Sequence, residues 1–250
     1  MSAIICLEGL RKSFASLDVL RGVDLQFEEG QITSLVGQSG TGKSVLFKCM
    51  IGIMTPDAGR VLYKERDLGE MNEDERKTLR NNFGYAFQDA ALFDSMSVAD
   101  NIAFPLREVL GMRSRREIAK RVKEMIDWIE LPDIGRQMPS ELSGGMRKRV
   151  GVARALAIKP EILLFDEPTS GLDPVLGQTI NDLVVRVNRE LGLTCILITH
   201  DIPAAFRISD KVVFLHEGEI IAAGTAAQVA ASQHEMVRQF VENSFSTWEE

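Results

Sequence analysis

A short apolar run, Ile32–Val36, opens into Gly37-Gln38-Ser39-Gly40-Thr41-Gly42-Lys43-Ser44, and a helical pattern through Leu46, Phe47, Met50 and Ile51 follows. The glycines let successive backbone N–H groups turn toward one point and cradle anionic oxygens. The helix beginning at Lys43 adds its positive N-terminal end. A strand, a glycine loop and a helix in that order call for a parallel sheet with the loop at the strand's carboxyl end. Gly37, Gln38, Ser39, Gly40, Thr41 and Gly42 are then the cradle. Lys43 is expected to reach the β- and γ-phosphates of a nucleotide, and Ser44 to ligate Mg²⁺. A chance glycine turn with a lysine is the competing reading, and the strand before and helix after argue against it.

Ile162-Leu163-Leu164-Phe165-Asp166-Glu167 supplies the other half of such a site. Four apolar residues fit a strand buried on both faces, with two carboxylates at its end. Asp166 is placed to hold Mg²⁺ through water. Glu167, one residue on, points elsewhere and can polarise an attacking water. Between the two halves stands Leu142-Ser143-Gly144-Gly145-Met146. A serine and two glycine amides at a helix start make a second anion site. One compact chain cannot easily use both on one nucleotide; two chains head to tail can, each lending Ser143 to the other's γ-phosphate.

His200 follows the apolar strand Thr194–Thr199, where an imidazole can meet the γ-phosphate and hold water. Gln88 ends the strand Phe83–Phe87, within reach of Mg²⁺ and water. Phe14 can stack on adenine, although an isolated phenylalanine is more often core. A lone histidine is likewise more often structural.

The rest of the chain reads as an α/β protein. Ile4–Leu7, Val23–Phe27 and Gly59–Tyr63 are short strands, and Pro56 limits the helix after Lys43. Ser97 with Asp100, and Ser114 with Glu117, fit capping boxes. After Ser114 an apolar face recurs at Ile118, Val122, Met125 and Ile129, and Pro132 ends that helix. A further helix follows Gly145. Asp173 caps another with Pro174 at its first position, its buried face being Leu176, Ile180, Leu183, Val187 and Leu191. Val212–Leu215 and Ile220–Ala222 read as a hairpin. A helix from Ala226 carries Val229, Val237, Phe240 and Val241; Phe245 and Trp248 follow, read either as a frayed terminus or as an aromatic tip that docks on a neighbouring subunit. The simplest architecture is a parallel-sheet core with a helical lobe inserted at about 88–157.

With 250 residues and 45% apolar content the chain can bury a sizeable core. Its net charge of −7 gives no global basic field for nucleic acid. No apolar run reaches the roughly 18–20 residues that cross a bilayer, and the N-terminus lacks a signal-peptide pattern. Any membrane role therefore needs partner subunits. Cys6, Cys49 and Cys195 match no zinc spacing and no disulfide framework.

Taken in order, GQSGTGKS, Gln88, LSGGM, ILLFDE, Ser170-Gly171-Leu172-Asp173 and His200 resemble the ATP-binding cassette (ABC) ATPase family over about residues 4–225. The resemblance implies a P-loop NTPase (RecA-like) parallel-sheet core, formed by 1–87 and 158–225 with an N-terminal antiparallel β subdomain. It implies an inserted ABC helical subdomain at 88–157 and a C-terminal helix and tail at 226–250, the whole being a single ABC domain of about 4–240. It makes Lys43, Gln88, Glu167 and His200 catalytic. It adds Phe14, Val45, Ser143, Gly144, Gly145 and Asp173 to the nucleotide contacts, and assigns Mg²⁺ to Ser44, Gln88 and Asp166. ATP and Mg²⁺ are the implied cofactors. A second copy of the chain and a membrane permease, met through the 88–112 region, are the implied partners. Phe93, Met96 and Phe104 lie there, and Phe104 reads better as core. Nucleic acid is not implied.

Met146 departs from the family's usual glutamine. Together with Met138–Leu142, Phe87–Val98 and Asn101–Glu108 it resembles the cassettes of Mce-domain lipid transporters. That finer likeness implies phospholipid cargo, an Mce-domain periplasmic subunit, a small accessory subunit, and a place at the cytoplasmic side of the inner membrane. An amino-acid importer, a soluble ABC ATPase acting on nucleic acid or ribosomes, and a non-hydrolysing regulatory module remain the rival readings.

Overall fold

The structure is a computed structural model that describes residues 2–15, 17–38 and 40–246, the side chain of Ser246 excepted. Ser39 and Trp248 lie outside the described residues. Along the chain run β1 (Ala3–Phe14), β2 (Leu17–Glu28), β3 (Ile32–Val36), α1 (Lys43–Met50), β4 (Ala58–Tyr63), β5 (Arg66–Asp67) and α2 (Glu73–Arg80). Then come β6 (Phe83–Ala86), α3 (Val98–Glu108), α4 (Arg115–Trp128), α5 (Gly144–Leu156), β7 (Ile162–Asp166) and α6 (Pro174–Leu191). Last are β8 (Thr194–Thr199), α7 (Ile202–Ile208), β9 (Lys211–His216), β10 (Glu219–Gly224), α8 (Ala226–Ala230) and α9 (Glu235–Ser246). Two compact units result, one of residues 1–80 with 194–250, the other of 81–193.

The first unit holds an antiparallel sheet in the order β2-β1-β4-β5, and a second group in the order β10-β9-β3-β8. In that second group β3 runs parallel to β8 and β9. Every residue of β3 and β8 is buried, as expected of strands covered on both faces. Among the described residues Thr33 Oγ1 is buried without a hydrogen-bond partner, while the other polar side chains of the two strands are paired. Thr194 Oγ1 accepts the Gly30 N–H at 3.0 Å, and the Ser34 and Ser209 hydroxyls meet at 2.7 Å. The β9–β10 hairpin turns on Glu217 and Gly218, with φ of 46° and 80°. Both are left-handed, as a two-residue turn between twisted strands requires. Val36, Ile202, Val212 and Phe214 pack with Val229 and Val237 from the C-terminal helices. The Phe245 ring lies 5.9 Å from Phe206 of the same chain and stays half exposed.

In the second unit β6 and β7 pair in parallel, and α3, α4, α5 and α6 surround them in sequence. Ile162, Leu163, Leu164 and Phe165 are fully buried, each contributing about 1.5–3 kcal/mol of transfer free energy. Ser97 and Ser114 cap α3 and α4, accepting the Asp100 and Glu117 N–H groups. Only half of the expected box forms at Ser97. The Asp100 carboxylate accepts the Ser97 hydroxyl at 2.7 Å and does not return to the Ser97 N–H. In α6, Ile180, Leu183 and Val187 are buried, whereas Leu176 and Leu191 at the two ends are exposed, so the apolar face is shorter than expected. The terminal helix is in fact two, α8 and α9.

Candidate functional site

In the first unit β3 ends at Val36 and α1 begins at Lys43, so the glycine segment joins a strand directly to a helix. Its glycines are required by space. A Cβ at Gly37 would collide with the Leu215 carbonyl oxygen. One at Gly42 would lie 2.8 Å from the Val19 carbonyl, and Gly42 has φ 102°. Thr41 Oγ1 donates to the Gln38 carbonyl at 2.9 Å and ties the loop across itself. Lys43 is buried and folds back into the loop. Its ammonium donates to the Gly37 and Gln38 carbonyls at 2.6 and 2.7 Å. These are neutral acceptors, and a phosphate offers a charged one, which makes a stronger bond to the same ammonium. Ser44 is exposed on the first turn and Val45 half-buried beside it.

Two further expected residues belong to this unit. Phe14 ends β1 with its ring 44% exposed, and the Lys12 ammonium lies 5.5 Å from the ring centroid. An aromatic in the open at a strand end is free to stack on a planar ligand, which a core phenylalanine is not. His200 directly follows β8 and is exposed. The backbone after it is fixed, since Thr199 Oγ1 accepts the Asp201 N–H at 3.0 Å and Asp201 caps α7.

The second unit carries Gln88, Asp166, Glu167, Ser143, Gly144, Gly145 and Asp173. Asp166 closes β7 and accepts the Tyr85 hydroxyl at 2.9 Å. Tyr85 stacks on Phe87 with centroids 4.3 Å apart. Burial, then the Asp166 charge and hydrogen bond, push the Tyr85 phenol well above its ordinary value, so it stays a neutral donor. Glu167 has φ 47°, a left-handed conformation that costs a non-glycine residue about 1–2 kcal/mol. Gln88 is exposed, and its Nε2 lies 3.4 Å from Ser170 Oγ.

Ser143 is the N-cap of α5, accepting the Met146 N–H at 3.3 Å. Met146 contributes its backbone to the cap, so replacing the family's glutamine leaves this feature intact. Gly144 and Gly145 face Leu172 and Leu176, where a Cβ would make ordinary contact at 3.5 and 3.6 Å. Asp173 caps α6 through the Val175 and Leu176 N–H groups, each at 3.0 Å.

Four residues that sequence reasoning passed over also act here. Tyr85 holds Asp166. Lys148 of α5 donates to the Ser170 carbonyl at 2.6 Å. Arg154 donates to the Ala90 and Ala91 carbonyls, both at 2.7 Å. Asn101, fully buried, donates to the carbonyls of Phe93, Met96 and Ser97 and accepts the Phe93 N–H. Their acceptors are mostly backbone carbonyls, which leave no mark in a sequence.

In the first unit, a glycine loop with a buried lysine and a serine at the helix start fit the phosphates of a nucleotide. In the second unit, Asp166 is a carboxylate oxygen donor of the kind that suits a hard cation. Residues 20–170 match the family described as ABC transporter. The protein named "Probable ribonucleotide transport ATP-binding protein mkl" from Mycobacterium leprae is 39% identical over 241 residues, covering 96% of this chain and 69% of that protein. The methionine import ATP-binding protein MetN of Rhodospirillum rubrum is 40% identical over 243 residues, covering 95% and 69%. Among solved structures, cbiO1 from Clostridium perfringens, part of the ABC transporter complex cbiONQ, superposes with TM-score 0.86 at 31% identity, covering 96% and 94%. A dimeric post-hydrolysis ATP-binding cassette bound to ADP and Pi superposes with TM-score 0.80 at 31% identity, covering 89% and 98%. The chain belongs to the ABC transporter family, as an ATPase that uses ATP with Mg²⁺.

Proposed function

We propose that this chain is the ATPase of a phospholipid transporter of the Mla type, moving lipid between the inner membrane and a periplasmic carrier and so maintaining outer-membrane lipid asymmetry. The chain works as a head-to-tail pair at the cytoplasmic side of the inner membrane. It engages integral permease subunits through residues 88–112, in a complex with an Mce-domain protein and a small accessory subunit. No helix among the described residues is long and apolar enough to cross a membrane, in keeping with a peripheral subunit. The observation that carries the lipid reading is the signature methionine, Met146, with the runs 87–98, 101–108 and 138–142.

The residue roles follow from charge and position. Residues 37–43 bind the phosphates by backbone N–H groups and the Lys43 ammonium. Val45 extends that contact along the first turn of α1, and Phe14 receives the adenine. Ser44, Gln88 and Asp166 would hold Mg²⁺, which supplies charge neutralisation at the phosphates. Glu167 takes the proton of the attacking water, and His200 orients that water and the γ-phosphate. Ser143, Gly144, Gly145 and Asp173 serve the partner's nucleotide. The work is positioning and charge stabilisation. The exposed Phe93 and the 88–112 stretch supply apolar surface for the permease. Phe104, half-buried with its ring 4.7 Å from Phe93, supports that surface from beneath.

A second reading, an amino-acid importer, is favoured by the 40% identity to a methionine import protein. Purifying the full chain from its native membrane and identifying its companions separates the two. An Mce-domain protein with a lipid-transport permease supports the lipid reading; an amino-acid permease in their place overturns it.

A further inference from the structure

Helix α5 does more than present Ser143. Lys148, half-buried and five residues beyond it, lies over the turn that follows β7. Its ammonium donates to the Ser170 carbonyl at 2.6 Å and approaches the Glu167 carbonyl at 3.4 Å. The same turn is closed by the Ser170 N–H donating to Glu167 O at 3.1 Å, and by the Leu172 N–H donating to Thr169 O at 3.2 Å. Gln88 Nε2 also reaches this turn, 3.4 Å from Ser170 Oγ. Glu167, at φ 47°, adopts a conformation that persists only where its surroundings hold it. Lys148 ties both ends of that turn to a packed helix.

We infer that Lys148 is a positioning residue for ATP hydrolysis, fixing the Glu167–Ser170 turn so that the Glu167 carboxylate is held where it accepts the proton of the attacking water. The inference rests on Glu167 as the base. Lys148 is not needed to build α5, whose cap is Ser143 and whose packing is through Val150, Val152, Ala153 and Leu156. Burial pulls the Lys148 ammonium below its ordinary value, while the carboxylates of Asp89 and Glu167 favour its charge. A half-buried ammonium directed at two carbonyls is a costly way to fill space. It is a direct way to fix a strained turn, because each donor–acceptor pair sets a distance and a direction. Misplacing a base by about 1 Å costs on the order of 100-fold in rate.

The test compares Lys148→Met, which keeps the stem and removes the donors, with Lys148→Gln, which keeps an N–H donor without charge. Glu167→Gln is carried alongside. Each full-length chain is assayed with the membrane subunits that co-purify with it, for phosphate release at saturating Mg²⁺ and ATP. Each is also assayed for affinity toward N-methylanthraniloyl-ATP. Lys148→Met is expected to lose about 100-fold in kcat with nucleotide affinity within about twofold. Lys148→Gln is expected to recover most of the rate. Lys148→Met hydrolysing at the wild-type rate, or Lys148→Gln as slow as Lys148→Met, overturns the role. If Lys148→Met does not fold, Lys148→Ala, which also lacks the donors, decides by the same criterion. Glu167→Gln separates the two layers. Hydrolysis that survives in it removes the base reading itself, whereas a dead Glu167→Gln beside an unaffected Lys148→Met removes only the role of Lys148.

Discussion

Arg154 holds the loop after Gln88, and its removal should release that loop by a predictable amount. The guanidinium is half-buried and donates to the Ala91 and Ala90 carbonyls, both at 2.7 Å. Ala90 and Ala91 have φ of 59° and 47°, two left-handed alanines in a row. That arrangement costs about 1 kcal/mol per residue at the low end, roughly 2 kcal/mol together. Two hydrogen bonds from a charged donor contribute about 1.5 kcal/mol each at the low end, roughly 3 kcal/mol together. The bonds therefore exceed the strain by about 1 kcal/mol, and without them the balance reverses. Arg154→Met keeps the apolar stem and removes both donors. The Ala90 N–H, which donates to Phe87 O at 2.9 Å, reports the change. A loss of about 3 kcal/mol of local holding corresponds to roughly 100-fold faster amide exchange at Ala90. Arg154→Lys, able to serve one carbonyl at a time, should fall between. Hydrogen exchange followed by mass spectrometry over residues 87–92 measures it. Protection at Ala90 that is unchanged in Arg154→Met would show that Arg154 does not hold this loop.

Gly42→Ala should lose ATP binding while keeping its circular dichroism spectrum, because a methyl group 2.8 Å from the Val19 carbonyl forces the loop open and leaves the strands alone. Tyr85→Phe frees the Asp166 carboxylate and should raise the half-saturating Mg²⁺ concentration several-fold, read by Mn²⁺ binding to the ATP-loaded chain. The raised Tyr85 pKa also sets a pH dependence. An unfolded tyrosine ionises near pH 10 and the folded one later, so this stabilisation is complete below about pH 10 and lost as pH rises above it. Urea unfolding of Tyr85→Phe should lack that alkaline component. Ser143→Arg should bind ATP like the parent and fail to form the ATP-dependent dimer in a Glu167→Gln background, as seen by size-exclusion chromatography with light scattering.

The parts of the fold that were legible are those where chemistry restricts the residues. The order β3, glycine loop, α1 and the start of α1 at Lys43 could be read because a phosphate cradle admits few alternatives. β8 was read to the residue because the apolar run Cys195–Ile198, as expected of a strand buried on both faces, is closed by a threonine at each end. Asp173-Pro174 marked the start of α6 through capping and a fixed φ. β1 was seen only at Ile4–Leu7, yet it extends to Phe14; its ladder with β2 slips register after Leu7, and apolar alternation fails there. α2 went unread because its sequence, EDERKTLR, buries only Leu79. Within the site, the motif residues were legible and the residues that aim them were not. Tyr85, Lys148, Arg154 and Asn101 act on particular atoms brought near by the fold, mostly backbone carbonyls, and no spacing announces that.

We propose that residues 37–44 bind ATP and that Glu167 drives its hydrolysis. Phosphate release and ATP affinity, measured together on the wild-type chain, Lys43→Ala and Glu167→Gln, test it most directly. The account predicts Mg²⁺-dependent release by the wild type, loss of ATP binding in Lys43→Ala, and retained ATP binding with release slowed at least about 100-fold in Glu167→Gln. Wild-type rates in Glu167→Gln, or unchanged ATP affinity in Lys43→Ala, would contradict it.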